Sequence, residues 1–172
     1  MKTGQLYING EWITGSGGEL SSLNPATSET IWQGNSADRH DVYAAVGAAR
    51  AAFAAWKSKP HAERVALLSA FAALVESKKL ELAQLIATET GKMLWDATGE
   101  AAGVVGKLAL SIKAYDERTA HRSAPMQGVT ATLQHKPHGV MAVYGPYNLP
   151  AHLPNGHIIP ALLAGNTVVF KP

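Results

Sequence analysis

The chain has 172 residues with a formal net charge of +2; 47% of its residues are apolar, 16% are charged and none is cysteine. This length suits one domain with a substantial core, and the missing cysteines exclude disulfides, thiol metal sites and a thiol nucleophile within this sequence. Scattered basic residues argue against nucleic acid binding, no apolar stretch is long enough to cross a bilayer, and the composition fits a reducing cytoplasm.

The first predicted element is a β-hairpin over Leu6–Ile13, in which Asn9-Gly10 forms the two-residue turn. A glycine-rich loop follows it, with Gly15, Gly17 and Gly18. No Gly-Lys-Ser/Thr sequence comes after this loop, so phosphate binding is disfavoured. We therefore interpret the loop as a flexible surface turn.

Four helices are predicted next, because apolar residues recur at helical spacing. Lys59-Pro60 separates the first two helices, and Gly91 ends the third. We expect the apolar stripes to form the core; they comprise Val42, Ala45, Val46, Ala49, Phe53 and Trp56, then Val65, Leu68, Ala72 and Val75, then Leu82, Leu85 and Ile86, and finally Ala101, Val104, Val105, Leu108, Ile112 and Tyr115. Beside the fourth stripe lies Lys107, in a position where a lysine is most often solvated.

From Val129 the apolar period changes to two, which predicts a half-buried antiparallel strand over residues 129–136. Val140–Tyr144 is apolar without alternation, as expected for a strand that is covered on both faces.

A βαβ unit is predicted from this second strand onwards. A turn leads from it into a helix over Leu153–Ala164, bent at Pro160 and stopped by Gly165, and a second buried strand covers Asn166–Phe170. A βαβ unit requires a parallel sheet. Two parallel strands alone leave an edge and an apolar face uncovered, so we expect partner strands after Pro172.

Two long segments carry a resemblance to a known family. The segment Val143-Tyr144-Gly145-Pro146-Tyr147-Asn148-Leu149-Pro150 is similar to the Pro-Trp/Phe-Asn-Phe-Pro motif of the aldehyde dehydrogenase superfamily, with Leu149 where phenylalanine is usual. Residues 160–172 resemble that family's next block, and Glu89-Thr90-Gly91-Lys92 resembles its helix-end motif. Within the superfamily, His152-Leu153-Pro154-Asn155-Gly156-His157 resembles the N-succinylglutamate 5-semialdehyde dehydrogenases of arginine catabolism.

The resemblance implies an α/β fold that is the N-terminal part of the aldehyde dehydrogenase fold. Residues 1–120 would hold an N-terminal hairpin and helices of the NAD-binding domain, 121–138 a strand of the oligomerisation flap, and 139–172 the first βαβ unit of an incomplete Rossmann-like NAD-binding domain. The resemblance spans the whole chain but only about the first third of a family member. The complete protein is expected to be a homodimer or homotetramer.

The resemblance also implies a reaction. In this family a cysteine thiolate attacks the aldehyde, hydride passes to the nicotinamide, and a glutamate activates water to release the carboxylate. Asn148 matches the asparagine whose side-chain amide stabilises the oxyanion. Judged by its residue type alone, Asn148 would instead hydrogen-bond its own turn. The chain has no cysteine, and the family glutamate would lie beyond Pro172, so we expect this polypeptide alone to be inactive.

Cofactor contacts are implied at the carboxyl end of the first parallel strand, where open α/β sheets bind ligands. The resemblance aligns Tyr144, Gly145 and Pro146 along NAD and sets Tyr147 near the nicotinamide; the alternative for Tyr147 is a buried aromatic without a ligand. Lys171 matches the lysine that donates to the adenosine ribose, although by itself it would be an ordinary strand-end lysine.

A substrate site is implied by the same resemblance. We hypothesise that Lys107, with His152 and His157 as donors, holds the carboxylates of an anionic semialdehyde, namely N-succinylglutamate 5-semialdehyde on its way to N-succinylglutamate. A metal site is disfavoured because histidines five residues apart do not share a helical face and no third ligand is evident. A different aldehyde dehydrogenase branch, or a non-enzymatic remnant that binds nucleotide weakly, are the alternatives.

Overall fold

The computed structural model describes residues 2–119 and 121–172, which form nine strands and five helices. The strands are β1 (Lys2–Gly4), β2 (Leu6–Ile8), β3 (Glu11–Ile13), β4 (Glu19–Leu23), β5 (Thr30–Asn35), β6 (Arg122–Met126), β7 (Val129–Leu133), β8 (Val140–Tyr144) and β9 (Thr167–Lys171). The helices are α1 (Arg39–Ser58), α2 (His61–Ser77), α3 (Lys79–Thr90), α4 (Leu94–Thr119) and α5 (His152–Leu163). None of the helices within these described ranges is both long and apolar enough to span a membrane.

The N-terminal hairpin is confirmed, and the structure also contains a small sheet that the sequence did not predict. β2 and β3 pair antiparallel, and the turn residues Asn9 and Gly10 have φ angles of 53° and 88°, as a two-residue hairpin turn requires. β1, β5 and β4 form a three-stranded sheet in which β5 is central. These strands escape sequence reasoning because their polar residues give no alternating pattern.

The glycine-rich loop is anchored, so the expectation of a flexible turn is wrong. Gly15 is buried, and a Cβ there would collide with the Ser36 carbonyl. The Ser16 backbone amide donates to Asp41 Oδ2 over 2.8 Å, and Asp41 also closes a capping box with Asp38 at the start of α1. The hydrogen bonds from the Ser16 and Asp38 amides hold the pKa of Asp41 below its usual range.

The main core lies where α2, α4 and α5 meet. Its buried members are Leu68, Leu108, Ile159 and Leu163, and a second cluster between α3 and α4 comprises Ala83, Ile86, Ala97 and Ala101. Leu68, Ile86, Ala101 and Leu108 belong to the predicted stripes of α2, α3 and α4, whereas Ala83 and Ala97 were not predicted and the predicted core residue Leu85 is exposed. The α1 stripe is only partly buried: Val42 and Val46 are exposed because α1 packs on the β8–β9 sheet mainly through its C-terminal half, where Thr167 Oγ1 donates to the Ala49 carbonyl.

The βαβ unit is confirmed as a parallel pair, with Val140 opposite Thr167 at the start and Tyr144 opposite Lys171 at the end. The cover of β8 is less complete than expected for a strand buried on both faces. Val143 is buried, but Tyr144 is exposed. An open depression of about 500 Å³ lies between β8 and α5, which leaves this part of the strand uncovered.

The predicted strand at 129–136 is shorter and more exposed in the structure. β7 ends at Leu133 and pairs antiparallel with β6, which sequence reasoning had not identified as a strand. Of its residues only Ala131 is half-buried. The prediction of a half-buried strand is therefore wrong. β6 and β7 pair with each other, and no other described element covers either face of this hairpin.

Candidate active site

The carboxyl ends of the two parallel strands meet at one edge and gather the predicted cofactor-binding residues. Tyr144 is the register partner of Lys171, and the Gly145 amide donates to the Lys171 carbonyl over 2.8 Å. A Cβ on Gly145 would lie 3.3 Å from the Phe170 ring, so only a small residue fits comfortably where the chain leaves β8. Half-buried Pro146 follows at this edge.

Both tyrosines of this edge project into open space. Tyr144 is 74% exposed and Tyr147 is 91% exposed. None of the described residues buries Tyr147. An edge with two exposed aromatic rings and an exposed lysine is suited to stacking and hydrogen bonding with a nucleotide.

Asn148 occupies the loop between this edge and α5. Its side chain is exposed, and its backbone carbonyl accepts a hydrogen bond from Lys92 Nζ over 2.9 Å. The loop is therefore held by its backbone, which leaves the side-chain amide of Asn148 available to an incoming group.

Lys92 reaches the loop because α3 ends in a left-handed turn. Gly91 has a φ of 73°, and Thr90 Oγ1 accepts from the Lys92 amide over 3.3 Å. Glu89, the first residue of the same Glu-Thr-Gly-Lys segment, accepts a hydrogen bond from Trp32 Nε1 over 3.0 Å. The segment thus ties the end of α3 to the small N-terminal sheet and turns Lys92 toward the Asn148 loop.

Glu100 of α4 is a buried charged residue at this site, and sequence reasoning missed it. Its side chain is 1% exposed, and Oε2 accepts from Lys92 Nζ over 2.8 Å. Its other oxygen, Oε1, accepts from the amides of Ala151 and His152 over 2.9 and 3.1 Å. Burial acts to raise the pKa of Glu100, but the hydrogen bond from Lys92, the two amides and the lysine charge outweigh it and lower the pKa overall.

Two of the predicted substrate residues lie at the interface between α4 and α5. Large and small residues alternate across it: Gly103 of α4 faces His152 of α5, and Lys107 of α4 faces Gly156 of α5. Between these two contacts, the buried side-chain amide of Asn155 donates to the Val104 carbonyl over 3.0 Å. The helices therefore approach closely along one seam that begins at the Asn148 loop.

His157 lies on a different side of α5 from this seam. It borders the depression beside β8, together with Tyr144 and Pro160. The structure thus brings Lys107 and His152 to one interface but does not bring His157 to the same place. No cluster of three or more metal-ligating side chains occurs among residues 2–119 and 121–172.

Three side chains fix the far end of α5 through hydrogen bonds that the sequence did not predict, although Trp56 itself was predicted as a core residue. Buried Arg64 donates through Nε to the Leu163 carbonyl over 3.0 Å, and Trp56 Nε1 donates to the Leu162 carbonyl over the same distance. Asn166 is buried and bridges the Gly139 amide and the Ala161 carbonyl. These bonds set α5 relative to both strands and so fix the position of the site loop.

Comparison with known proteins bears on the identity of the chain. The family model described as "Aldehyde dehydrogenase family" matches residues 12–172. N-succinylglutamate 5-semialdehyde dehydrogenases of Cronobacter sakazakii and of Escherichia coli K12 are each 54% identical over 97% of this chain. The chain spans 34% of the length of these relatives.

Solved structures agree with this assignment. The NADP-dependent glyceraldehyde-3-phosphate dehydrogenase of Bacillus halodurans C-125, solved with NADP, matches with a TM-score of 0.93 and 29% identity over 100% of this chain and 38% of its own. The NAD-dependent benzaldehyde dehydrogenase of Corynebacterium glutamicum gives 0.89 and 30% over 98% of this chain and 37% of its own. The fold is therefore the N-terminal part of the fold of these enzymes, and the chain belongs to the aldehyde dehydrogenase family.

Proposed function

We propose that this chain supplies the oxyanion donor and part of the dinucleotide-binding edge of an NAD-dependent aldehyde dehydrogenase that oxidises N-succinylglutamate 5-semialdehyde to N-succinylglutamate. The observation that carries the proposal is the continuity of the site: β8, whose carboxyl end pairs with that of β9, leads directly into the loop of Asn148, whose side chain is exposed. The names of the relatives support the choice of substrate.

Asn148 is proposed to act on the negative charge that forms when a thiolate adds to the aldehyde carbon. An amide N–H that is already oriented stabilises such an oxyanion without reorganisation. The thiolate and the general base come from residues outside this chain, which has no cysteine and spans about a third of its relatives. We expect the isolated chain to be inactive for this reason.

The dinucleotide is proposed to lie along the edge formed by Tyr144, Gly145, Pro146, Tyr147 and Lys171. The exposed rings and the exposed lysine amine fit a ligand with an aromatic base and ribose hydroxyls. When bound, the dinucleotide accepts the hydride. We propose NAD rather than NADP as the cofactor.

We also propose that 1–120, 121–138 and 139–172 are structural units and that the complete enzyme is a homodimer or homotetramer.

The substrate carboxylates are proposed to be held by Lys107, with His152 and His157 as further donors. Lys107 is half-buried, makes no ion pair with any described residue, and faces Gly156, whose missing side chain leaves room beside the amine. A partly desolvated amine without a counterion favours an anionic ligand. His152 borders the same seam, and His157 would act only from the neighbouring side of α5.

Steady-state kinetics of the complete enzyme tests this proposal. We expect NAD reduction with N-succinylglutamate 5-semialdehyde, and a lower kcat/KM for a neutral aldehyde of similar length. Lys107→Met should raise KM for the anionic substrate about tenfold or more, as loss of a charged hydrogen bond does, and leave the neutral aldehyde unaffected. Lys113→Met is the control, since Lys113 is exposed on the same helix. Equal effects of Lys107→Met on both aldehydes would refute the carboxylate role.

A further inference from the structure

We infer that Lys92 and Glu100 form a buried ionic clamp that positions Asn148 for oxyanion stabilisation. This inference rests on the proposed function and adds two positioning residues to it. The clamp holds the loop at two points, one at Asn148 itself and one at Ala151 and His152. Lys92 Nζ donates to the Asn148 carbonyl over 2.9 Å, while Glu100 Oε1 accepts from the amides of Ala151 and His152 over 2.9 and 3.1 Å.

The clamp is built from three separate parts of the chain. Lys92 follows α3, Glu100 belongs to α4, and the loop precedes α5. α5 has no N-terminal side-chain cap of its own, because Ala151 occupies the cap position. Glu100, which lies on the neighbouring helix α4, accepts hydrogen bonds from the first amides of α5 in place of a cap residue. Its negative charge is favourable at this helix N-terminus.

The two charges depend on each other. The side chains of Glu100 and Lys92 are 1% and 14% exposed, and their charged atoms are 2.8 Å apart. Breaking such a pair leaves one charge buried without a partner, which is strongly unfavourable. Asp96, 3.7 Å from Lys92 Nζ, is half-exposed and lies at longer range, so it replaces Glu100 poorly. The loop backbone therefore keeps its contacts with the clamp only while both members are present.

The position of the loop matters because oxyanion stabilisation is sensitive to geometry. A displacement of a catalytic group by about 1 Å can cost about a hundredfold in rate. Lys92 binds the carbonyl of Asn148 itself, so losing this bond frees the residue that carries the proposed oxyanion donor. Neither Lys92 nor Glu100 has to contact the substrate for this effect.

A double-mutant cycle in the complete enzyme tests the clamp. We expect Lys92→Met to lower kcat about tenfold to a hundredfold and to leave the Kd for NAD unchanged. In the background of Asn148→Ala the same change should lower kcat less than about threefold, because interacting residues are not additive. Glu100→Gln, which keeps the side-chain shape, should behave in the same way and serves if Lys92→Met does not fold. Lys113→Met is the surface control.

The outcomes separate the clamp from the function on which it rests. An equal factor in both backgrounds would show a general structural role and overturn the clamp, as would a kcat within about twofold of wild type for both clamp variants. If Asn148→Ala alone leaves kcat unchanged, the oxyanion role of Asn148 is wrong and the clamp falls with it. A large loss for Asn148→Ala with an additive cycle refutes the clamp alone.

Discussion

Gly103 of α4 and His152 of α5 are in direct contact: a Cβ on Gly103 would lie 2.7 Å from His152 Nδ1. This nitrogen is buried and has no hydrogen-bond partner among residues 2–119 and 121–172. The imidazole is therefore held by packing against the glycine, at the beginning of the α4–α5 seam.

The contact predicts opposite effects for two glycine substitutions on the same helix. Gly103→Ala should lower Tm and raise KM for the aldehyde, because His152 must move. Gly106→Ala should maintain or raise Tm, since a Cβ there meets nothing within 4 Å and alanine favours the helix by about 0.5–1 kcal/mol. Thermal unfolding and steady-state kinetics of both variants measure this. Similar Tm values for both would contradict the close packing of α4 on α5.

The space at Gly156 yields a second prediction. In Gly156→Ala the new Cβ would lie 3.5 Å from Lys107 Cε and 3.6 Å from Nζ, which is ordinary contact, so we expect a stable and active enzyme. Gly156→Leu should displace the amine and raise KM for the anionic semialdehyde while KM for a neutral aldehyde changes less. A larger KM change for the neutral aldehyde would instead indicate simple blockage.

Arg64 is predicted to matter for stability rather than for chemistry. It is buried, and its guanidinium donates to the carbonyls of Lys59 and Leu163. Arg64→Met would leave both carbonyls without this donor, at a cost of about 3 kcal/mol. We expect a Tm several degrees lower and an unchanged KM for NAD in the molecules that remain folded. A wild-type Tm would show that these bonds contribute nothing net.

Glu100 should make the thermal stability of the fold depend on pH. Its pKa is lowered in the folded state, so its contribution is fully present above its ordinary, unfolded pKa and is lost as pH falls through the lower, folded value. Glu100→Gln should therefore be less stable than wild type at neutral pH, and the difference in Tm should shrink below about pH 4. A difference that stays constant across this range would contradict the ionised form of Glu100 in the fold.

Local signals explain how much of the fold was predictable. The hairpin turn at Asn9-Gly10 and the helix stop at Gly165 are encoded by single residues with positive φ. The βαβ unit follows from two apolar runs around a helix, and parallel strands necessarily bring Tyr144 and Lys171 to one edge. The β1–β5–β4 sheet was missed because its strands are mostly polar and come from distant segments, so the sequence shows no alternation of apolar residues there.

Candidate site residues could be named from the sequence where they stand out individually, and not where their role depends on a neighbouring element. Asn148 and Lys107 stand out by resemblance and by their position on an element. Glu100 looks like an ordinary helix glutamate until α4 packs against the start of α5 and buries it. Arg64 is similar, since only the tertiary arrangement brings the Leu163 carbonyl to it.

The central claim is that Asn148 stabilises charge that develops only during the reaction, and the kcat of Asn148→Ala in the complete enzyme tests it most directly. The account predicts a kcat lower by about a hundredfold to a thousandfold, as for removal of other oxyanion donors, with the Kd for NAD and the Tm unchanged. A kcat within about twofold of wild type with N-succinylglutamate 5-semialdehyde would contradict it.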